Sequence, residues 1–141
     1  MKYTKADDGL IVRLFRGEKI FESLTKLIGD LNIPSATVTG LGAVMNTRLG
    51  FYHLHQKKYD EKIFEEEMEL VSLIGNFAWF DNKPAIHLHV GIGAPDFKLY
   101  GGHLFEATSA VTVELGIQVK KNRIWREFDA EMGLNLLCLG T

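Results

Sequence analysis

The sequence predicts an α+β domain with a largely antiparallel sheet and one main helix. Apolar residues recur at helical spacing in one segment, whereas most of the remaining chain shows short apolar or alternating runs separated by turn-like segments. Strands joined by short turns, without regular alternation of strand and helix, favour antiparallel pairing. The 141 residues fit one compact domain, and we therefore expect a single domain over residues 1–141.

The first part of the chain contains the predicted helix. Gly9 to Phe15 is a strand-like run. The helix is predicted over Glu18 to Leu31, since five apolar residues there fall on one helical face before Asn32 and Pro34 end it. This apolar stripe consists of Ile20, Leu24, Leu27, Ile28 and Leu31.

The middle of the chain contains further predicted strands. Ser35 to Leu41 and Thr47 to Leu54 are predicted as two strands with a bend at Gly40 to Gly42, and Gln56 to Glu61 is a polar connection. Met68 to Phe77 carries apolar residues at both odd and even positions. This pattern favours a strand that is buried on both faces.

The last third of the chain alternates apolar and polar residues. The alternation from Ala85 to Ile92 and from Val111 to Val119 predicts two strands that are each buried on one face. We expect a loop over Ala94 to Gly102 between them. Arg126 to Phe128 and Leu134 to Leu137 are predicted closing strands.

Charge and cysteine content exclude several classes of protein. The formal net charge of −2 gives no general attraction to nucleic acid, so DNA binding would need a local basic patch. The lone Cys138 excludes an intrachain disulfide and every zinc module built from several cysteines. We find no apolar segment long enough to span a membrane and no leader peptide, and therefore expect a cytoplasmic protein without membrane contact.

Three histidines are the strongest candidates for chemistry. His87 and His89 lie on the polar face of a predicted strand, and Gly91 and Gly93 leave free volume on that face. If the following loop forms a hairpin, His103 lies beside them. Three imidazoles suit a divalent ion with an open ligand position, for which zinc is the default and nickel, iron or cobalt are alternatives. The competing interpretation is that the histidines only pack or hydrogen-bond on a half-buried sheet face.

Other polar residues are weaker candidates. Glu114 is a candidate base or histidine-orienting carboxylate, although an exposed sheet position explains it as well. Asp96 suits either the surroundings of the metal or a turn after Pro95. His53 and His55 precede a polar segment that indicates a surface strand end, and we do not expect a metal there.

Two further groups complete the candidate residues. Ser72 and Asn76 share one face of a predicted buried strand and are expected to tie backbone segments together. Four basic residues near a turn form a candidate DNA-binding cluster, although a solvated loop is the commoner explanation. These residues are Lys120, Lys121, Arg123 and Arg126.

Four motifs resemble the PPC family, the plants-and-prokaryotes conserved domain also called domain of unknown function 296. They are the segments Glu69 to Asn76, His87 to Val90, Tyr100 to Glu106 and Thr112 to Glu114, in the family's order and spacing. The similarity extends from about residue 11 to about residue 139. The resemblance implies an antiparallel α/β domain that forms homotrimers, with His87, His89 and His103 as metal ligands in some prokaryotic members.

The resemblance leaves the biochemical activity unassigned. Plant members join this domain to AT-hooks that bind DNA, and the usual label of the prokaryotic proteins, predicted DNA-binding protein, derives from them. The AT-hook depends on an Arg-Gly-Arg core that enters the minor groove, but this sequence has only Arg16-Gly17-Glu18. We expect a trimeric metal-binding protein of the bare prokaryotic type. The alternatives are a metal-dependent hydrolase, a DNA-associated assembly protein with a structural or absent metal, and a scaffold or sensor with a small-molecule ligand.

Overall fold

The computed structural model describes residues 1–140, which form nine strands and one helix. In chain order these are β1 (Lys2–Ala6), β2 (Gly9–Phe15), α1 (Ile20–Leu31), β3 (Ser35–His53), β4 (Lys58–Phe64), β5 (Met68–Phe80), β6 (Lys83–Gly93), β7 (Leu99–Lys120), β8 (Trp125–Asp129) and β9 (Leu134–Cys138). Strand pairing is antiparallel throughout except for a single parallel pair, Trp79 with Trp125, between β5 and β8. The predicted α+β class with a largely antiparallel sheet is confirmed.

The centre of the fold is a closed ring of four strands. Strand β3 pairs with β5 on one side and with β7 on the other, and β6 pairs with both β5 and β7. Strand β2 extends the sheet from β7, and β1 forms an edge beside β2. Alternation along the strands points apolar side chains such as Leu88, Leu104 and Leu115 into the core, where they are buried.

Helix α1 packs its apolar stripe against this core, except for Leu31 at the end of the helix, which is exposed. Ile20, Leu24 and Ile28 are fully buried, as the helical spacing predicts. The helix begins at Ile20 and not at Glu18, because Lys19 still forms an isolated β-bridge with Thr108. The Glu18 carboxylate accepts a hydrogen bond from the Phe15 backbone N–H (2.8 Å) and forms an ion pair with the N-terminal amine.

The two strands predicted on either side of Gly40 to Gly42 are one continuous strand, β3. The register with β5 and β7 shifts near Gly42, which has a positive φ of 147°. A Cβ atom at Gly42 would lie 2.1 Å from the Thr112 carbonyl oxygen, so only glycine fits there. The glycines therefore produce a bulge inside a strand, which sequence patterns do not distinguish from a turn.

The prediction that residues 68–77 are buried on both faces is wrong. Val71 is 56% exposed and Ile74 is 59% exposed, whereas Leu70 and Leu73 are buried. The register of β5 against β6 shifts between Leu70 and Ser72, so the inward positions change parity along the strand. Apolar residues at both parities therefore reflect a bulge and an exposed apolar outer face.

The other differences between the predicted and the observed elements concern edge strands and the bounds of loops. Sequence patterns do not predict strands β1 and β4, because their side chains are nearly all exposed and polar. The loop between β6 and β7 is shorter than predicted, since β7 already begins at Leu99. The two closing strands are confirmed as β8 and β9. In the described part of the chain, no helix has the length and apolar character needed to cross a membrane.

Candidate metal centre

The β6–β7 hairpin brings the histidines together. Its loop is closed by hydrogen bonds from the Ala94 N–H to the Lys98 carbonyl (2.9 Å) and from the Phe97 N–H to the Ala94 carbonyl (2.8 Å). In the resulting register, His89 lies directly opposite His103. Because alternate residues share a face of a strand, His87 projects from the same face as His89.

The three imidazoles form a compact cluster. Their candidate ligand nitrogens all lie within 4.8 Å of one another. Ring centroids are 5.1 Å apart for His87–His89, 5.1 Å for His87–His103 and 5.5 Å for His89–His103. Nitrogen ligands of one tetrahedral zinc ion lie about 3.4 Å apart, so small side-chain rotations would bring these atoms to one ion.

Packing on both sides of the hairpin holds this arrangement. Leu88 and Leu104, the residues beside the histidines in sequence, point inward and are fully buried. On the outer face the His103 ring contacts Tyr59 and Phe105, with centroid distances of 5.2 and 4.9 Å. These aromatic contacts limit the rotamers of His103, as a preorganised ligand requires.

The environment keeps His87 and His103 in the form that binds a cation. Burial, together with His87, His89 and Arg126, lowers the pKa of His103 to about 4. Burial also lowers the pKa of His87, with smaller contributions from Arg126 and His89. Both imidazoles are therefore neutral at pH 7, the state in which they ligate metals. The buried Nδ1 of His103 has no hydrogen-bond partner among the described residues, which fits an atom meant for another ligand.

Arg126 lies at the same site, which sequence patterns do not indicate. The hydrogen bonds of its guanidinium go from Nη2 to the Asn76 side-chain oxygen (2.6 Å) and from Nη1 to the Asn135 carbonyl oxygen (2.9 Å). Asn76 lies opposite His87 in the β5–β6 register. Asn76 was expected to tie backbone segments together, and it instead accepts a hydrogen bond from an arginine side chain. The sequence indicates Arg126 only as one of four basic residues near a turn, which predicts a DNA contact or a solvated loop and no place beside the histidines.

A cavity of about 460 Å³ opens beside the cluster and is lined by His87, His103, Arg126 and Asn135, among others. Its remaining lining comes from the β5–β6 turn and the start of β6. The free volume was predicted at the opposite end of β6, beside Gly91 and Gly93. At that end a Cβ atom at Gly91 would lie 3.2 Å from the Ser72 hydroxyl, whereas Gly93 lines a separate cavity of about 480 Å³.

The basic cluster predicted near the turn does not form one free patch. Lys120 lies opposite Ser35 in the β3–β7 register, and Lys121 is exposed. The Arg123 guanidinium stacks on the Trp79 ring at 4.0 Å and donates a hydrogen bond to the Asn32 side-chain oxygen (2.6 Å). Since Arg126 points into the histidine site, two of the four cations are engaged elsewhere.

The remaining candidates lie away from the cluster. Glu114 is exposed, eleven positions beyond His103 on β7, and its register partners are Arg13 and Leu41. The Asp96 carboxylate accepts hydrogen bonds from the backbone N–H and the ammonium group of Lys98, which lower its pKa and support the turn interpretation.

The second histidine pair forms no metal cluster within residues 1–140. His53 contacts the Asp60 carboxylate at 2.8 Å, and His55 is exposed. The expectation that no metal lies there stays a prediction.

The similarity of this chain to known proteins identifies its family. Residues 1–120 match the Plants and Prokaryotes Conserved (PCC) domain, the family named PPC above. The chain belongs to this family. A comparison with curated proteins finds no match. The PPC match ends before β8, so Arg126 is contributed by a hairpin outside the matched residues.

Solved PPC-like structures resemble this chain over nearly its whole length. A "putative DNA-binding protein" of Ralstonia eutropha JMP134 is 32% identical, with a TM-score of 0.91, covering 99% of this chain and 96% of that chain. A metal-containing protein of Archaeoglobus fulgidus is 30% identical, with a TM-score of 0.86 and coverage of 99% and 100%. A PPC protein of Pyrococcus horikoshii is 28% identical, with a TM-score of 0.84 and coverage of 93% and 91%.

Proposed function

We propose that this PPC protein is a homotrimer in which each subunit binds one divalent metal ion through His87, His89 and His103. The single observation that carries the metal site is the clustering of three candidate ligand nitrogens within 4.8 Å. All three ligands come from one chain, so the ligand set is complete within a subunit. A structural relative from Archaeoglobus fulgidus is a metal-containing protein, which supports the presence of a metal here.

Zinc is the metal we propose first, because three neutral imidazoles form a frequent ligand set for zinc with an open fourth position. Nickel, iron and cobalt also bind imidazole nitrogen and are the alternatives. A metal at this site would polarise an oxygen atom of a bound molecule. No Asp or Glu within residues 1–140 joins the cluster, and Glu114 lies far along β7, so metal binding without an assigned reaction is favoured over a hydrolase.

The proposed trimer is supported by the outer face of the sheet. Ile74 and Val71 are more than half exposed on this face, and so are Leu41, Ile11 and Val111 on the neighbouring strands. Apolar side chains at this density on a sheet face are typical of subunit interfaces. Ile74 lies opposite His89 in the β5–β6 register, so this apolar face reaches the edge of the histidine cluster.

DNA binding is the second candidate function. Its support is the description of the Ralstonia eutropha relative as a "putative DNA-binding protein". The net charge of −2 and the engagement of Arg123 and Arg126 weigh against it. Titration of duplex DNA at 20 and 200 mM salt tests it, because phosphate-dominated binding must weaken steeply with salt. The absence of binding at 20 mM salt would refute this function.

The cytoplasmic location stays a prediction.

Elemental analysis of untagged protein, purified without chelator, tests the metal site. We expect about one metal ion per chain in the unmodified protein and none in the His87→Ala/His103→Ala double variant. The matched control is His55→Ala, which removes an exposed histidine outside the cluster and should retain the metal. Circular dichroism shows whether each variant is folded. The proposal is refuted if the folded protein binds none of the four metals zinc, nickel, iron(II) and cobalt(II).

A further inference from the structure

Arg126 is a half-buried cation without an anionic partner. None of the ion pairs among residues 1–140 involves it, whereas Arg48 pairs with Glu61 and Arg16 with Glu67. Its two hydrogen bonds, to Asn76 and to the Asn135 carbonyl, go to neutral acceptors. A guanidinium has five N–H donors, so its charge and three donors remain available.

The surroundings of Arg126 make its positive charge energetically unfavourable. A charged group that is removed from water is disfavoured unless an opposite charge compensates it, and burial lowers the pKa of Arg126 accordingly. The neighbouring imidazoles of His87 and His103 are neutral near pH 7 and offer no compensation. A metal ion in the cluster would add further positive charge.

The cavity beside Arg126 has room for the missing anion. Its volume of about 460 Å³ lies within the range of pockets that hold small molecules. Arg126 and two of the candidate metal ligands, His87 and His103, line the same space. Asp81 and Lys83 at the β5–β6 turn also line it, and their opposite charges offset each other.

We propose that this cavity binds a small molecule through an oxyanion, a carboxylate or a phosphate, that the Arg126 guanidinium holds beside the histidine-bound metal. This inference rests on the proposed metal site and adds the class of ligand. The planar guanidinium fork matches two oxygens of a carboxylate or a phosphate, which a lysine ammonium does not. Another atom of the same ligand would face the open position of the metal.

The C-terminal hairpin positions Arg126 for this role. The Trp79 backbone N–H donates to the Ile124 carbonyl (2.9 Å), and Trp79 pairs with Trp125, so the start of β8 is attached to β5. Arg126 follows at the next position. Its bonds to Asn76 and Asn135 then link β8 to both β5 and β9.

Anion titration of cobalt-loaded protein tests the proposal. Acetate and inorganic phosphate are added separately in chloride-free buffer, and binding is followed by calorimetry and by the visible spectrum of Co²⁺. We expect Arg126→Gln to weaken binding of the preferred anion at least tenfold, and Arg126→Lys to restore only part of it. The matched control is Lys121→Gln, an exposed charge change in the same region, which should alter binding less than twofold.

The outcomes separate this inference from the metal proposal. If cobalt fails to bind and zinc, nickel and iron(II) fail as well, the metal proposal fails. Acetate and phosphate are then titrated without metal, into the unmodified protein by following its Arg126 Nε–H signal in NMR spectra and into the variants by calorimetry. If cobalt binds and Arg126→Gln leaves both anion affinities unchanged, the inference is overturned. It is overturned as well if neither anion binds. Arg126→Lys, which keeps the charge, decides the result if Arg126→Gln does not fold. Selective binding of acetate or of phosphate identifies the oxyanion.

Discussion

The environment of His103 lowers its pKa and thereby makes the folding stability depend on pH. In metal-free protein the pKa of His103 is about 4, against an ordinary value of 6.5, chiefly because the ring is partly buried against Tyr59 and Phe105. Between pH 6.5 and about 4 the unfolded chain therefore binds a proton at this histidine that the folded chain does not. Folding stability must fall as the pH falls through this window.

The magnitude follows from the width of that window. Each pH unit between the two pKa values is worth about 1.4 kcal/mol, which gives about 3 kcal/mol in total. His103 is only partly buried, so about 3 kcal/mol is an upper bound. Above pH 6.5 the contribution is constant, and below about pH 4 the loss is complete.

Urea unfolding of metal-free protein between pH 7.5 and 4 measures this loss, at one fixed protein concentration because assembly adds to stability. The His103→Gln variant should lose less stability on acidification than the unmodified protein. The matched control His55→Gln changes an exposed histidine and should keep the original pH dependence. The reasoning is refuted if the NMR signal of His103 titrates near pH 6.5, or if His103→Gln and the unmodified protein lose equal stability.

Two further predictions concern packing and assembly. A Cβ atom at Gly75 would lie 2.0 Å from the His87 carbonyl oxygen, so Gly75→Ala should cost about 1–3 kcal/mol in urea unfolding, whereas Gly29→Ala, with open space in α1, should gain up to about 1 kcal/mol. Equal stability of the two variants would contradict this. Ile74→Lys should dissociate the proposed trimer in analytical ultracentrifugation, and Lys26→Gln, an exposed change on α1, should not; a trimer that survives Ile74→Lys would refute the role of this face.

The sequence predicts those parts of the fold that follow from local periodicity. The helix appears from one apolar stripe, and β6 appears from the alternation of residues 85–92. The same alternation places His87 and His89 on one face, and a hairpin of ordinary length then puts His103 opposite His89. The three-histidine cluster is accessible from sequence because one hairpin produces it.

The features that sequence patterns missed depend on contacts between distant segments. The hydrogen bond that holds Arg126 at the cluster joins it to Asn76, which lies 50 positions away in the sequence. No local sequence pattern indicates such a contact. The exposure of Val71 and Ile74 depends on a bulge that changes the parity of inward positions in β5. Edge strands β1 and β4 lack a periodic signal because every side chain of β1 and most side chains of β4 are exposed.

The position of Arg126 also constrains how metal and anion act on each other. Its positive charge disfavours a cation at the histidines, and it already lowers the pKa values of His87 and His103. An oxyanion held by Arg126 would offset that repulsion and raise the affinity for the metal. Linkage requires the metal to raise the affinity for the anion by the same factor. Arg126→Gln should therefore weaken anion binding and remove this mutual effect, while the metal affinity of the anion-free site rises because the repelling positive charge is gone.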